Sequence, residues 1–237
     1  MELGANSVRP GGGILFFAVP EEAGPFRKAW TRAGAGSFSR MSSPAGWRTE
    51  SLTVYVTGMG RRNAARVAAE VLQTASPAWV VTAGFAGGLD PALKLGTVGF
   101  MADDGFPLRD RLDHTGAREL IFHEATRVAA TPEAKAVLRR ETGTEAVEME
   151  SATIRALCRE RRIHSATVRV ISDTANEGLP LDFGVLMNAD DKLDFGRLAG
   201  TLLRSPGKIP ELIRFQRRVS EAADQLARVL VAISRPE

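Results

Sequence analysis

Four segments of the sequence place carboxylates or glycines directly after a short apolar run. They are residues 20–22, 58–60, 84–88 and 172–173. Ligands of open α/β sheets bind beyond the carboxyl ends of the strands, so segments that are distant in sequence can converge there on one small molecule. The carboxylates suit acid–base chemistry and the glycines suit close approach of a ligand, so the pattern is typical of an enzyme.

Asp173 is a candidate general acid. It follows residues 166–171, which are apolar enough for a central strand. An aspartate at the carboxyl end of such a strand can donate a proton to a leaving group. The alternative is that Ser172 and Asp173 cap the next turn.

Two acids flank a methionine in Glu148-Met149-Glu150. At a strand-to-helix junction their side chains point in different directions, so one can enter a pocket while the other meets solvent or a basic neighbour. Glu150 is the better pocket candidate because it lies on the apolar face of a predicted helix. Its carboxylate can accept hydrogen bonds from two adjacent sugar hydroxyls. The alternative is a first-turn acid that interacts with the helix dipole.

The glycines offer two further candidate contacts. Residues 84–88 carry little side chain, so they either let a flat base or a sugar approach the backbone or form a turn with positive φ. Residues 58–60 resemble half of a dinucleotide fingerprint, but Asn63 replaces its third glycine and no acid ends the next strand. We therefore reject a nicotinamide site, and a helix N-terminus suited to phosphate or sugar remains.

Glu22 is a candidate for activating a water, although Glu21 and Glu22 also fit a surface acidic pair. The three histidines lack the mutual spacing of a zinc site, and no serine lies in a nucleophile elbow.

The elements that must position these residues alternate along the chain. Strand-like runs at 14–19, 52–57, 79–83, 97–101 and 166–171 are separated by helical periodicity at 61–74, 150–161, 192–204 and 210–233. This alternation predicts an α/β fold with a mainly parallel sheet. Residues 103–127 are predicted to be rich in loops.

The composition of the 237 residues predicts one globular domain over 14–237, preceded by a loose leader at 1–13. The net charge of +3 is spread along the chain, which does not favour nucleic-acid binding. A single cysteine favours a reducing cytoplasm, and the apolar run 14–20 is too short to span a membrane.

Four motifs together resemble the purine nucleoside phosphorylase and nucleosidase superfamily, in particular its methylthioadenosine/adenosylhomocysteine nucleosidases and hopanoid-associated phosphorylases. The motifs lie at 57–65, 83–89, 147–151 and 169–173. The resemblance implies a three-layer α/β/α domain around a central, mixed and partly barrel-like sheet. It also implies a homodimer or larger homo-oligomer that uses no cofactor.

The resemblance also implies roles for individual residues. Asp173 would protonate the departing base, Glu22 would orient the attacking water, and the backbone near Ala129 and Ala130 would meet the base edge. The residues implied in substrate binding are Glu150, Met149, Glu148, Gly84, Phe85, Ala86, Gly87, Gly58 and Ser172. Candidates for phosphate contact are Gly60, Arg61 and Arg169.

The expected activity is cleavage of the N-glycosidic bond of a purine-type, adenine-like nucleoside by phosphate or water. The alternative is a non-catalytic nucleoside-binding or regulatory protein of the same fold. Residues 174–191, with Phe183 and Met187, either close over the site or form a surface connection.

Overall fold

Four parallel strands form the centre of the sheet. A computed structural model describes residues 12–180 and 209–236 of the chain. The central strands, in spatial order, are β4 (Leu52–Val56), β1 (Gly13–Phe17), β5 (Trp79–Gly88) and β10 (Ser165–Asp173). Their residues are almost all buried, as expected for parallel strands that are covered on both faces. The carboxyl ends of these strands meet at one edge.

Six further strands complete a mixed sheet of ten strands in the described part of the chain. The strands β2 (Ser39–Ser42) and β3 (Ala45–Arg48) continue the sheet beyond β4, and β6 (Val98–Ala102) and β7 (Arg118–Glu119) continue it beyond β10. β9 (Ala146–Glu148) pairs antiparallel with the end of β5, and β8 (Phe122–Glu124) pairs with β9. This branch brings the end of β9 to the same edge as the ends of β5 and β10.

Helices cover both faces of the sheet. They are α1 (Pro20–Arg32), α2 (Arg61–Thr74), α3 (Arg109–His114), α4 (Pro132–Thr142), α5 (Ser151–Glu160) and α6 (Ile209–Ser234). α1 and α6 pack against one face through residues such as Trp30 and Leu230. α2 and α5 pack against the other face through residues such as Val67 and Ile154. The predicted α/β/α architecture with a mixed central sheet is confirmed.

Most predicted elements are present with small shifts at their ends. The helix predicted over 61–74 is confirmed, and α6 extends one residue beyond each end of the predicted 210–233. Of the two alternatives for residues 84–88, the turn is wrong, because β5 continues through Gly88 and pairs there with β9 and β10. Residues 103–127 contain α3, β7 and β8 as well as loops.

Several predictions lie outside the described residues. They are the helix at 192–204, the contacts of Phe183 and Met187, and all but the end of the leader at 1–13. Within the described residues, no helix combines the length and apolar character needed to cross a membrane.

Candidate active site

A cavity of about 300 Å³ lies at the carboxyl ends of the central strands. Four acidic side chains from three parts of the chain line it: Glu22, Glu148, Glu150 and Asp173. Each of these four residues has a relative solvent exposure of 7% or less. Close association of buried acids requires cations or hydrogen-bond donors nearby, so the partners of each acid determine what it can do.

Arg169 of β10 is the cation among three of these acids. Its side chain is 3% exposed, and its Nη2 donates to Glu148 at 2.7 Å and to Glu150 at 3.2 Å. Burial alone would lower the pKa of Arg169, but the charges of Glu148, Glu150 and Glu22 raise it above its ordinary value. Arg169 therefore remains a cation and holds the glutamates in place.

Glu150 keeps hydrogen-bonding capacity on both carboxylate oxygens. Its Oε1 accepts from the backbone N–H of Gly60 at 2.8 Å, and its Oε2 accepts from Arg169. A carboxylate oxygen has two acceptor positions, so one position remains on each oxygen. Burial raises the pKa of Glu150 to about 7, although Arg169 opposes the shift. Glu150 is thus suited to accept from two neighbouring hydroxyls.

Glu148 has a different set of partners from Glu150. Its Oε2 accepts from the backbone N–H groups of Glu150 and Ser151, at 2.9 and 2.7 Å, as well as from Arg169. These N–H groups lie at the start of α5, where the helix offers donors without intrahelical partners. Glu148 lines the cavity, but one of its oxygens is occupied by the helix and by Arg169.

Glu22 lies in the first turn of α1 and points back over the end of β1. Its Oε2 accepts from the N–H groups of Ala18 and Val19, at 3.0 and 3.3 Å. Val19 is the N-cap of α1, and its bond to Glu22 is the one that a glutamate makes in a capping box. Its Oε1 accepts from the N–H of Phe85 at 2.9 Å. Burial raises the pKa of Glu22 above its ordinary value, although Arg169 and these N–H groups oppose the shift. One acceptor position on Oε1 remains for a water.

Gly84 makes room for this arrangement. A Cβ atom at residue 84 would lie 2.6 Å from both Nη1 of Arg169 and Oε1 of Glu22, and the φ of +153° also disfavours a side chain. The prediction that glycine permits close approach at this position therefore has a physical basis, although the group that approaches is the protein's own carboxylate and guanidinium.

Asp173 ends β10 and is held through both oxygens. Ser172 donates its hydroxyl to Oδ1 at 2.7 Å, and Lys135 of α4 donates to Oδ2. At residue 87, an added Cβ would lie 3.3 Å from the same Oδ2, so glycine leaves that oxygen accessible. Ser172 and Asp173 belong to the strand and do not cap a turn.

The remaining candidates divide between the cavity and its surroundings. Met149, Phe85, Ala86 and Ala129 line the cavity together with Gly87. The carbonyl of Ala130 accepts from Leu179 at 2.9 Å. Gly58 does not line the cavity.

The three phosphate candidates have partners within the protein. The N–H of Gly60 donates to Glu150, and Nη2 of Arg169 is shared by Glu148, Glu150 and Ser151. The side chain of Arg61 is 68% exposed, pairs with Glu124 at 3.7 Å and does not line the cavity.

Sequence reasoning missed several residues at the site. Lys135 contacts Asp173, and Arg127, Leu179, Phe215 and Val219 line the cavity. Phe215 and Val219 lie in the helix predicted over 210–233 but were not predicted at the site. Lys135 had a detectable signal, because it lies one turn before Leu138 on the inward face of α4. The described residues include no cluster of His, Cys, Asp or Glu that could hold a metal ion.

The sequence model of the phosphorylase superfamily matches residues 18–133 and 125–233, which include every acid of the cavity. The chain belongs to the phosphorylase superfamily. This confirms the resemblance on which the residue roles were based. No curated protein sequence matches this member of the superfamily.

Solved structures of nucleosidases share the fold of this superfamily member. The 5′-methylthioadenosine/S-adenosyl homocysteine nucleosidase of Campylobacter jejuni has a TM-score of 0.66 at 15% identity, over 95% of this chain and 99% of that chain. The futalosine hydrolase of Helicobacter pylori has a TM-score of 0.66 at 15% identity, over 94% and 97%. The corresponding nucleosidase of Neisseria meningitidis, in complex with methylthio-immucillin-A, has a TM-score of 0.66 at 18% identity, over 97% and 99%.

Proposed function

We propose that this protein cleaves the N-glycosidic bond of a nucleoside. The observation that carries the proposal is that Glu22, Glu150 and Asp173 line one cavity, each held by a different set of donors. Cleavage of a glycosidic bond needs a group that activates the nucleophile, a group that assists the leaving atom and a group that binds the sugar. The three carboxylates can fill these three roles.

Glu150 would hold the ribose. Its two oxygens each keep one acceptor position, and vicinal hydroxyls of a ribose present two donors at a matching separation. The positive charge that develops on the sugar in an oxocarbenium-like transition state would strengthen its interaction with a nearby carboxylate. Met149 would pack against the sugar, since it lines the cavity and is adjacent to Glu150 in the chain.

Asp173 would assist departure of the base. A purine leaves more readily when a ring nitrogen is protonated or hydrogen-bonded as the bond to the sugar breaks. Asp173 and Ser172 lie beside Ala86 and Gly87, whose small size leaves space for a flat ring. We propose an adenine-like base. The nucleosidases that share the fold support it, because two of those named above act on adenosine derivatives by their names.

Water is the nucleophile that the charges favour. A phosphate ion beside Glu22 would also meet the carboxylates of Glu148 and Glu150 and would compete with them for Nη2 of Arg169. A neutral water meets no such repulsion. Burial raises the pKa of Glu22, which makes its carboxylate a stronger base, and its remaining acceptor position can orient the water.

The test is a panel of adenine and hypoxanthine nucleosides with varied 5′ groups, incubated with and without inorganic phosphate. We expect release of the base together with free ribose, at a rate that does not depend on phosphate. Glu22→Gln should abolish release. Arg140→Met, which removes an exposed cation from α4, is the matched control.

Formation of ribose 1-phosphate would show that phosphate is the nucleophile. Binding of nucleosides without release of base would instead favour the non-catalytic alternative.

A further inference from the structure

Lys135 is a buried cation to which the proposed reaction assigns no role. It is the one residue of α4 that is buried, with a relative exposure of 0%. Transferring an ammonium group from water into the protein interior is unfavourable unless charges and acceptors replace its hydration shell. A lysine at this position therefore needs a specific set of partners.

Its three N–H groups have three partners. Nζ donates to Oδ2 of Asp173, to the carbonyl of Thr174 at 2.7 Å and to the carbonyl of Glu177 at 2.8 Å. An ammonium group has three donors, so these contacts use all of them. Lys135 does not line the cavity, and it has no donor left for a substrate or a phosphate. Any effect of Lys135 on the reaction must pass through its partners.

The first effect is on the orientation of Asp173. Lys135 holds Oδ2 from the side of α4, and Ser172 holds Oδ1 at 2.7 Å. A carboxylate that is held at both oxygens has few accessible rotamers. The positive charge of Lys135 also stabilises the carboxylate that forms when protonated Asp173 gives its proton to a ring nitrogen of the leaving base.

The second effect is on the turn that follows β10. Lys135 joins the carbonyls at both ends of the turn Thr174–Glu177. The carboxylate of Glu177 closes the same turn by accepting from the N–H and the hydroxyl of Thr174, each at 3.0 Å, and it also accepts from Arg218 of α6 at 2.5 Å. Leu179, which lines the cavity, lies two residues after Glu177. One ammonium group therefore fixes the end of β10 and the wall beside it.

We propose that Lys135 is a positioning residue that acts through Asp173 on the departure of the base, an inference that depends on the proposed nucleosidase function. Without Lys135, Asp173 would lose its charge partner, and its carboxylate would turn away from the leaving group. Substrate binding by Glu150 would remain, because Lys135 has no contact with that residue.

The leaving group separates this role from a purely structural one. A nucleoside needs assistance at the base, whereas p-nitrophenyl ribofuranoside releases a stable phenolate that needs no proton. We expect Lys135→Met to lower kcat about 10- to 100-fold for the nucleoside, with KM and the rate for the nitrophenyl substrate each changed less than about threefold. Arg140→Met should leave the rates with both substrates unchanged. Equal losses for both substrates would overturn the proposal.

A double-mutant cycle tests whether the effect passes through Asp173. In an Asp173→Asn background, Lys135→Met should have almost no further effect on kcat for the nucleoside, because the partner it positions has already lost its function. Additive losses would overturn the proposal. Lys135→Arg keeps the positive charge, so it should have a higher kcat for the nucleoside than Lys135→Met. A folded Lys135→Arg protein with a kcat no higher than that of Lys135→Met would contradict the proposed role of the charge. Circular dichroism and thermal melting identify any variant that does not fold.

A spectroscopic measurement tests the contact between Lys135 and Asp173 without relying on enzyme activity. The carboxyl ¹³C resonance of Asp173, assigned from Asp173→Asn, should shift in Lys135→Met and stay in place in Arg140→Met. If the wild-type protein releases no base from any nucleoside, the proposed function fails, and the resonance still decides whether Lys135 sets the state of Asp173. An unchanged resonance would overturn the positioning role.

Discussion

A change of pH between 6 and 8 should act on the reaction through Glu150. Burial raises the pKa of this carboxyl to about 7. About a tenth of the protein therefore carries an ionised Glu150 at pH 6, and about nine tenths carries it at pH 8. The ionised form is the one that accepts hydrogen bonds through both oxygens, so the fraction of competent protein follows the titration.

The expected size follows from these fractions and from the contacts of Glu150. kcat/KM for a ribonucleoside should rise about tenfold from pH 6 to pH 8 and level off above that. Hydrogen bonds to a charged acceptor contribute about 1 to 1.5 kcal/mol more than neutral ones. Two such bonds to the ribose predict that Glu150→Gln lowers kcat/KM by about 2 to 3 kcal/mol, or about 30- to 150-fold, at pH 8.

The assay is the initial rate of base release at low substrate concentration from pH 5.5 to 8.5. The same series with a 2′-deoxynucleoside provides a control within the wild-type protein, because one hydroxyl partner of Glu150 is missing. We expect a shallower rise for the deoxy substrate, and we expect no titration near pH 7 in Glu150→Gln.

Two results would refute this reasoning. A flat wild-type profile between pH 6 and 8 would show that ionisation of Glu150 does not limit the reaction. A titration near pH 7 that persists in Glu150→Gln would assign it to another group.

Three further predictions concern rate and stability. Asp173→Asn should lower kcat for an adenine nucleoside by about 10²- to 10⁴-fold and change KM much less, as measured by steady-state kinetics; a fall in kcat of less than about tenfold would contradict the leaving-group role. Gly84→Ala should lower both activity and the melting temperature, because its Cβ would lie 2.6 Å from Nη1 of Arg169, whereas Gly116→Ala, at a φ of +77° with open space, should lose only the backbone strain. Folding raises the pKa of Glu150 from 4.5 to about 7, so this acid's contribution to stability falls as pH rises from about 4.5 to 7 and is constant above. Glu150→Gln should therefore melt at a higher temperature than the wild-type protein at pH 8, and the difference should be smaller at pH 5. Scanning fluorimetry at the two pH values measures both differences, and a larger difference at pH 5 than at pH 8 would contradict the prediction.

The strand ends of this protein could be predicted from local patterns. The run 166–171 is mostly apolar because it lies inside a parallel sheet, and this composition identifies Ser172 and Asp173 as its end. The helix at 61–74 was predicted from its apolar spacing alone, since Ala64, Val67 and Val71 recur on one face.

The glycine segment 84–88 shows where local pattern fails. Glycine weakens a strand, so the predicted strand ended at residue 83, and the sequence left either a ligand contact or a turn for residues 84–88. In the structure, β9 and β10 pair with this part of β5, and Gly84 accommodates the side chains of Glu22 and Arg169. These partners lie more than 60 residues away from Gly84 in sequence, so no local pattern contains them.

The sequence by itself determined which chemical groups are available and that strand ends deliver them to one edge. Glu22 and Asp173 each follow an apolar run, and Glu150 lies on the apolar face of a predicted helix; these patterns made the three acids candidates. Only the tertiary structure decided how the acids differ. Glu148 binds the start of α5, Glu150 keeps free acceptor positions, and Lys135 reaches Asp173 from another helix. The physical reason is that burial and charge pairing depend on neighbours from distant parts of the chain, and these neighbours set both the pKa and the orientation of a carboxylate.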